Sequence, residues 1–202
     1  MIVENNKKGD KVFLTILADG KFHEQVEEGR EGAVAREYED ENDEKKIKYE
    51  LVHDSVKGII TSVSVVEGFK GLKNLNIEID SEIISTGVKG QYGEDLLKKL
   101  PAIDLSKEVT LTPYSFIPKG EDTVKKGLTV YQDGVKVESF YWDKETKTEK
   151  NGVPTPVGDT KAFDSDDWTN HFNVVRKFMV KEIEKLPVFV ETKEEAKEIK
   201  GF

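Results

Sequence analysis

The chain has 202 residues, 36% hydrophobic and 35% charged, with a formal net charge of −9. No apolar run approaches the ~20 residues that span a bilayer, and the start MIVENNKKGDKVF has no apolar signal core, so neither a membrane partner nor a secretory leader is expected. The absence of cysteine excludes disulfides, thiolate metal sites and cysteine nucleophiles, and fits a reducing cytosol.

Residues 11–50 predict two hairpins. KVFLTIL alternates and stops at Ala18-Asp19-Gly20 before FHEQV, and GAVAREYE and KKIKYELV flank the charged turn EDENDEKK. Glu24–Glu50 holds 11 acids against 5 bases. Arg30, Arg36, Lys45, Lys46 and Lys48 offer a clamp for a phosphate backbone, but their acidic neighbours favour a solvated face.

Residues 51–145 read as a small barrel core. VKGIITSVSVV and LKNLNIEI are strands joined by EGFKG, a glycine-bearing loop TGVKGQYG follows, and EDLLKKLPAI is a short helix with Leu96, Leu97 and Leu100 on one side. KEVTLTPYSF is the next strand. GLTVYQDGVKVESFYW is a hairpin about Asp133-Gly134 with arms reaching from Gly127 to Trp142. From Lys57 to Lys73 there are 3 bases and 1 acid, and from Lys107 to Lys150 there are 8 of each, so a neutral-to-basic groove is compatible with the negative total.

Residues 146–164 are polar and contain Pro154 and Pro156, which predicts a long loop. Residues 165–186 form the clearest helix. Asp164 or Ser165 caps it, Asp166 and Asp167 favour its positive end, and Pro187 stops it. Trp168, Phe172, Val175, Met179, Ile183 and Leu186 recur at helical spacing. Residues 187–202 read as a flexible tail. The whole is expected to be a single, mainly β domain. A Greek-key barrel of the oligonucleotide/oligosaccharide-binding (OB) type is expected, with N-terminal hairpins added, a helix inside one barrel connection and a C-terminal helix.

Strand alternation sorts the central hairpin into two faces. Leu128, Val130, Val135 and Val137 share the aliphatic one, and Tyr131, Lys136, Glu138, Phe140 and Trp142 share the other. On the preceding strand Val109 and Leu111 oppose Thr110, Thr112, Tyr114 and Phe116. Tyr114, Phe116, Tyr131 and Trp142 thus offer rings on which unpaired bases can stack, each worth roughly 1–3 kcal/mol. Phe69 sits on the EGFKG loop. Lys57, Lys70, Lys73, Lys119, Lys125, Lys126 and Lys136 supply charge for phosphates. The competing reading buries the same rings beneath the C-terminal helix.

Catalytic signatures are missing. His23, His53 and His171 are far apart in sequence and read as satisfied or surface histidines, no Walker loop or nucleophile elbow is present, and Asp164, Asp166 and Asp167 read as caps rather than metal ligands. No enzyme, cofactor or metal is expected.

The block from VKGIITSVSVVEGFKGLKNLNIEI through YGEDLLKKL and KEVTLTPYSF to KKGLTVYQDGVKVESFYW resembles bacteriophage OB-fold single-stranded DNA-binding proteins, over about residues 50–185. The resemblance rests on layout. It implies single-stranded DNA as partner, sequence-tolerant coating and protection of exposed strands in phage DNA replication and recombination, and the cytoplasm of an infected bacterium as location. Such proteins often recruit replication or recombination partners through an acidic tail with a terminal aromatic. Here the chain ends at Phe202, but ETKEEAKEIKGF mixes four acids with three lysines. Two other readings stand beside it: a structural or adaptor protein using the barrel to bind another protein, and a divalent-metal-dependent nuclease or hydrolase.

Overall fold

The computed structural model describes residues 11–39, 42–68 and 71–191. The fold is mainly β. Its strands are β1 (Val12–Ile16), β2 (Phe22–Val26), β3 (Val34–Glu39), β4 (Lys45–His53), β5 (Val56–Glu67), β6 (Lys73–Ile79), β7 (Glu82–Gly87), β8 (Glu108–Phe116), β9 (Lys125–Gln132), β10 (Val135–Lys136), β11 (Trp142–Asp143) and β12 (Thr148–Glu149). Two helices accompany them, α1 (Gln91–Lys99) and α2 (Ser165–Ile183).

Ten strands make one hydrogen-bonded series in the order β10-β9-β8-β5-β6-β7-β1-β2-β4-β3. Every neighbouring pair is antiparallel except β1 with β7, which run parallel. The predicted N-terminal hairpins are therefore a continuation of the sheet. β7 was not expected as a strand. It follows β6 through the tight turn Asp80-Ser81, where Asp80 takes a left-handed φ of 51° and Ile79 pairs with Glu82.

The long strand β5 organises the sheet. Val56–Ile59 pair with β8, and Ile60–Glu67 pair with β6 across a register shift between Ile60 and Ser62. A bulge of this kind bends a strand and adds twist. Gly58 lies just before it, where any side chain would collide with the Asp80 carboxylate and Ile79. The bend brings both halves of the sheet onto one core, in which Val56, Ile60, Val63, Leu75, Ile77, Leu111, Leu128 and Val130 are fully buried. Leu96, Leu97 and Leu100 enter the same core, as their spacing predicts.

Among the described residues no ladder closes the series into a barrel: the series ends at β10 and β3, both edges of β7 are taken, by β6 and β1, and the edge of β9 at Leu128 has no strand partner. Helix α1 packs against both β7 and β9. Its Asp95 carboxylate accepts the N–H of Leu128 at 2.7 Å, its Lys99 ammonium donates to the carbonyl of the same residue, and the two side chains pair at 2.8 Å. Side chains thus satisfy a strand edge that a neighbouring strand would otherwise cover.

At α2 the Asp164 carboxylate accepts the N–H groups of Asp166 and Asp167 at 2.8 and 2.9 Å, and the Asp167 carboxylate accepts the N–H of Asp164 at 3.2 Å. The aspartates cap the helix reciprocally. Met179 and Ile183 are fully buried in the core, whereas Phe172 on the N-terminal half stays exposed. The sequence spacing put all of them on one core face, but the helix overhangs the core beyond Val175.

Three further expectations are corrected. The second arm of the central hairpin leaves β9 after Val137, whose N–H donates to the Val130 carbonyl at 2.8 Å, because the N–H of Phe140 donates instead to the Lys98 carbonyl of α1 at 2.7 Å. The segment 146–164 is not wholly loop: Trp142 pairs with Glu149 and Asp143 with Thr148, and Thr160–Ala162 form a 3-10 turn. The start of the expected tail is anchored: Val63 donates to the Val188 carbonyl and accepts from the Val190 N–H, both at 2.9 Å. Residues 192–202, with Phe202, lie outside the described residues.

Candidate nucleic-acid interface

The register of β8 on β9 sets out the candidate face. Thr110 lies opposite Tyr131, Thr112 opposite Thr129, Tyr114 opposite Gly127 and Phe116 opposite Lys125. Tyr131 also faces Lys136 on β10, and Thr110 faces Lys57 on β5. The row Lys136–Tyr131–Thr110–Lys57 therefore crosses four strands. The alternating residues Val109, Leu111, Leu128 and Val130 are buried, so these side chains occupy the outer surface. Tyr114, Phe116 and Tyr131 are 37%, 53% and 42% exposed, and α2 does not cover them.

Tyr114 is fixed from several sides. Its ring lies across Gly127, where a Cβ would collide with the ring edge and hydroxyl, so the absence of a side chain on β9 makes its seat. The Phe116 ring lies 5.8 Å away at 45°. Burial, with the Asp95 carboxylate adding to it, pushes the Tyr114 phenol above its ordinary pKa. The Tyr92 hydroxyl of α1 is 3.3 Å from the Tyr114 carbonyl. Gly20, with a φ of 75°, brings the β1–β2 turn against the Tyr114–Ser115 backbone, leaving no room for a side chain. A ring held on paired strands needs little ordering when a base stacks on it.

The lysines fall into three groups. Lys57 pairs with Glu108 at 3.1 Å and Lys125 with Glu121 at 2.9 Å. Such exposed pairs are worth roughly 0–1 kcal/mol, so a phosphate can displace the acid. Lys119 and Lys136 are exposed and form no ion pair among the described residues, although Lys136 adds to the Lys144 hydrogen bond in drawing the Glu138 carboxyl below its ordinary range. Lys126 lies opposite Ser115, on the other face from the rings, and is half-buried; Lys73 stands at the start of β6, in the other half of the sheet. Phe69 and Lys70 lie outside the described residues.

Trp142 is not on this face. It belongs to the β11–β12 hairpin and lines a cleft of about 320 Å³ with Tyr141, His171 and Phe172. Phe140 also departs from its predicted side: half-buried, it packs against the core and edge-on to Tyr141 at 5.3 Å. The alternation that placed both with Tyr131 ends where the arm leaves β9.

Sequence reasoning also missed a ring cluster on α2. Trp168 stacks on Phe172 at 5.8 Å, and Phe163 and His171 meet Trp168 edge-on at 5.1 and 6.0 Å. The helical spacing of Trp168 and Phe172 was visible, but spacing alone does not say whether a stripe meets the core.

The other two histidines are structurally engaged. His23 is buried, with Nδ1 2.9 Å from Glu50 and Nε2 2.9 Å from Asp19, and His53 Nε2 is 3.3 Å from Glu24. Arg36 donates to both Glu50 oxygens at 2.7 and 2.6 Å. These hydrogen bonds, joined by those from His23, outweigh burial and draw the Glu50 carboxyl down to a pKa of about 2. Among the described residues no helix is long and apolar enough to cross a membrane, and no three acidic or histidine side chains are grouped to hold a metal ion.

No family model, curated protein or solved structure matches the chain.

Proposed function

We propose that the protein binds single-stranded DNA without strong sequence preference, through the outer face of β8 and β9, and that it coats exposed strands during phage replication or recombination. The observation that carries this reading is the pair Tyr114–Phe116, half-exposed and in ring contact, with Tyr131 on the neighbouring strand of the same face. Rings on rigid strands bordered by Lys57, Lys119, Lys125 and Lys136 suit a ligand that is flat and apolar along one edge and anionic along the other. Threonines between the rings leave the face shallow, which fits tolerance of any base. The acidic residues elsewhere oppose adhesion to duplex DNA.

Oligo-dT binding measured at several salt concentrations, with duplex as control, tests the reading. Affinity falls as salt rises, by about 0.7 in logarithmic slope for each phosphate neutralised on a single strand. Replacing both Tyr114 and Phe116 by alanine weakens binding by at least about tenfold, the loss of one stacked base. Binding that ignores both salt and the ring substitutions rejects the proposal and favours the adaptor reading, in which the same rings meet a protein.

A further inference from the structure

We infer a second base-binding site, the cleft between the β11–β12 hairpin and the N-terminal half of α2, which takes one planar nucleobase between Trp142 and Phe172. The inference rests on the proposed function and extends it to a site that the β8–β9 face does not contain.

Both rings line the cleft and both are 43% exposed. A volume of about 320 Å³ is at the lower end of the ~300–1,000 Å³ typical of small-molecule sites, which suits a single flat ring. Phe172 is braced by Trp168 on its own helix at 5.8 Å, so the wall it forms is backed by a second ring. The polar groups around the cleft can read the edge of a base. Ser139, Lys98, Glu149 and His171 stand around it. Glu94, also in the wall, is already held by Lys98 at 2.8 Å and Arg176 at 3.3 Å, which limits repulsion of a phosphate.

A path joins the two sites. Lys136, opposite Tyr131 in the ladder, lines a neighbouring depression of about 430 Å³ together with Phe140 and Lys150, and Ser139 lines both that depression and the cleft. The depression, also lined by Asp133 and Glu138, connects the Lys136 end of the β8–β9 face to the cleft, so a strand on the rings has a route past Lys136 and Lys150 to Trp142.

The variant Trp168→Phe leaves Trp142 as the sole tryptophan. Titrated with oligo-dT about 16 nucleotides long, the upper end of single-site footprints, its emission is quenched as the oligonucleotide binds. Adding Phe172→Ala weakens binding by about five- to a hundredfold and removes most of the quenching, while Phe172→Tyr restores both. Adding Tyr114→Ala and Phe116→Ala weakens binding but leaves the quenching at saturation unchanged. An unfolding midpoint on each variant separates loss of the site from loss of fold. If the oligonucleotide binds but Trp142 emission stays constant and Phe172→Ala is neutral, the cleft site is overturned and the β8–β9 face stands. If no oligonucleotide binds at any salt concentration, both fall.

Discussion

Asp95 on α1 and Leu128 on β9 are joined by a hydrogen bond of 2.7 Å, carboxylate to backbone N–H, and Lys99 one turn along closes the carbonyl side of the same residue. A helix here does to a strand edge what another strand would do.

Lys99 is 7% exposed and pairs with Asp95 at 2.8 Å. Asp95→Ala leaves a buried ammonium and a strand N–H without their partner and is expected to cost about 3 kcal/mol or more. The double variant Asp95→Ala, Lys99→Met removes the stranded charge and recovers at least half of that loss. Urea unfolding of the two variants and of Lys99→Met checks this; strictly additive losses would show that the pair is not coupled.

The network around Glu50 gives the protein an acid-sensitive element. Its folded pKa of about 2 lies below the ordinary 4.5, so its contribution is complete above pH 4.5 and is lost as pH falls through the interval down to about 2. The shift corresponds to on the order of 3 kcal/mol. Glu50→Gln is expected to lower stability at neutral pH and to flatten the acid limb of the stability curve between those values, as read by denaturant unfolding across pH. An unchanged acid limb would remove Glu50 from the account.

Gly127→Ala tests the seat of Tyr114. The new methyl group meets the Tyr114 ring and the Asp95 carboxylate together. Overpacking of this kind costs about 1–3 kcal/mol, and the displaced ring should also weaken oligo-dT binding. In a Tyr114→Ala background the same substitution should have a smaller effect on both. Equal effects in the two backgrounds would mean that the tyrosine does not occupy the space above Gly127.

Much of the fold was legible where local pattern and tertiary environment agree. The two N-terminal hairpins, β5, β6, β8 and the core face of β9 follow from alternation. The leucines of α1 and the aspartate cap of α2 follow from helical spacing and end chemistry. β7 was missed because EIIS is short and its turn, Asp80-Ser81, lacks the glycine that usually marks a tight hairpin. The candidate face was half legible: Tyr114, Phe116 and Tyr131 share a surface because β8 and β9 stay paired for eight residue pairs. Trp142 was misplaced because alternation extends only as far as the ladder does.

By itself the amino-acid sequence determined which residues alternate, which carry charge and where helices begin, since those depend on neighbours within a few positions of the chain. It therefore placed Tyr114 and Phe116 opposite to Val109 and Leu111 provided Pro113 makes no bulge, and the β8–β9 ladder runs unbroken through Pro113. Only the tertiary structure decided that α1 rather than a strand meets the edge of β9, that α2 leaves the rings of β8 and β9 open, and that Trp142 and Phe172 line one cleft. Each of those outcomes depends on which distant backbone group or side chain takes up a hydrogen bond or covers an apolar ring. Periodicity holds no information about such long-range choices.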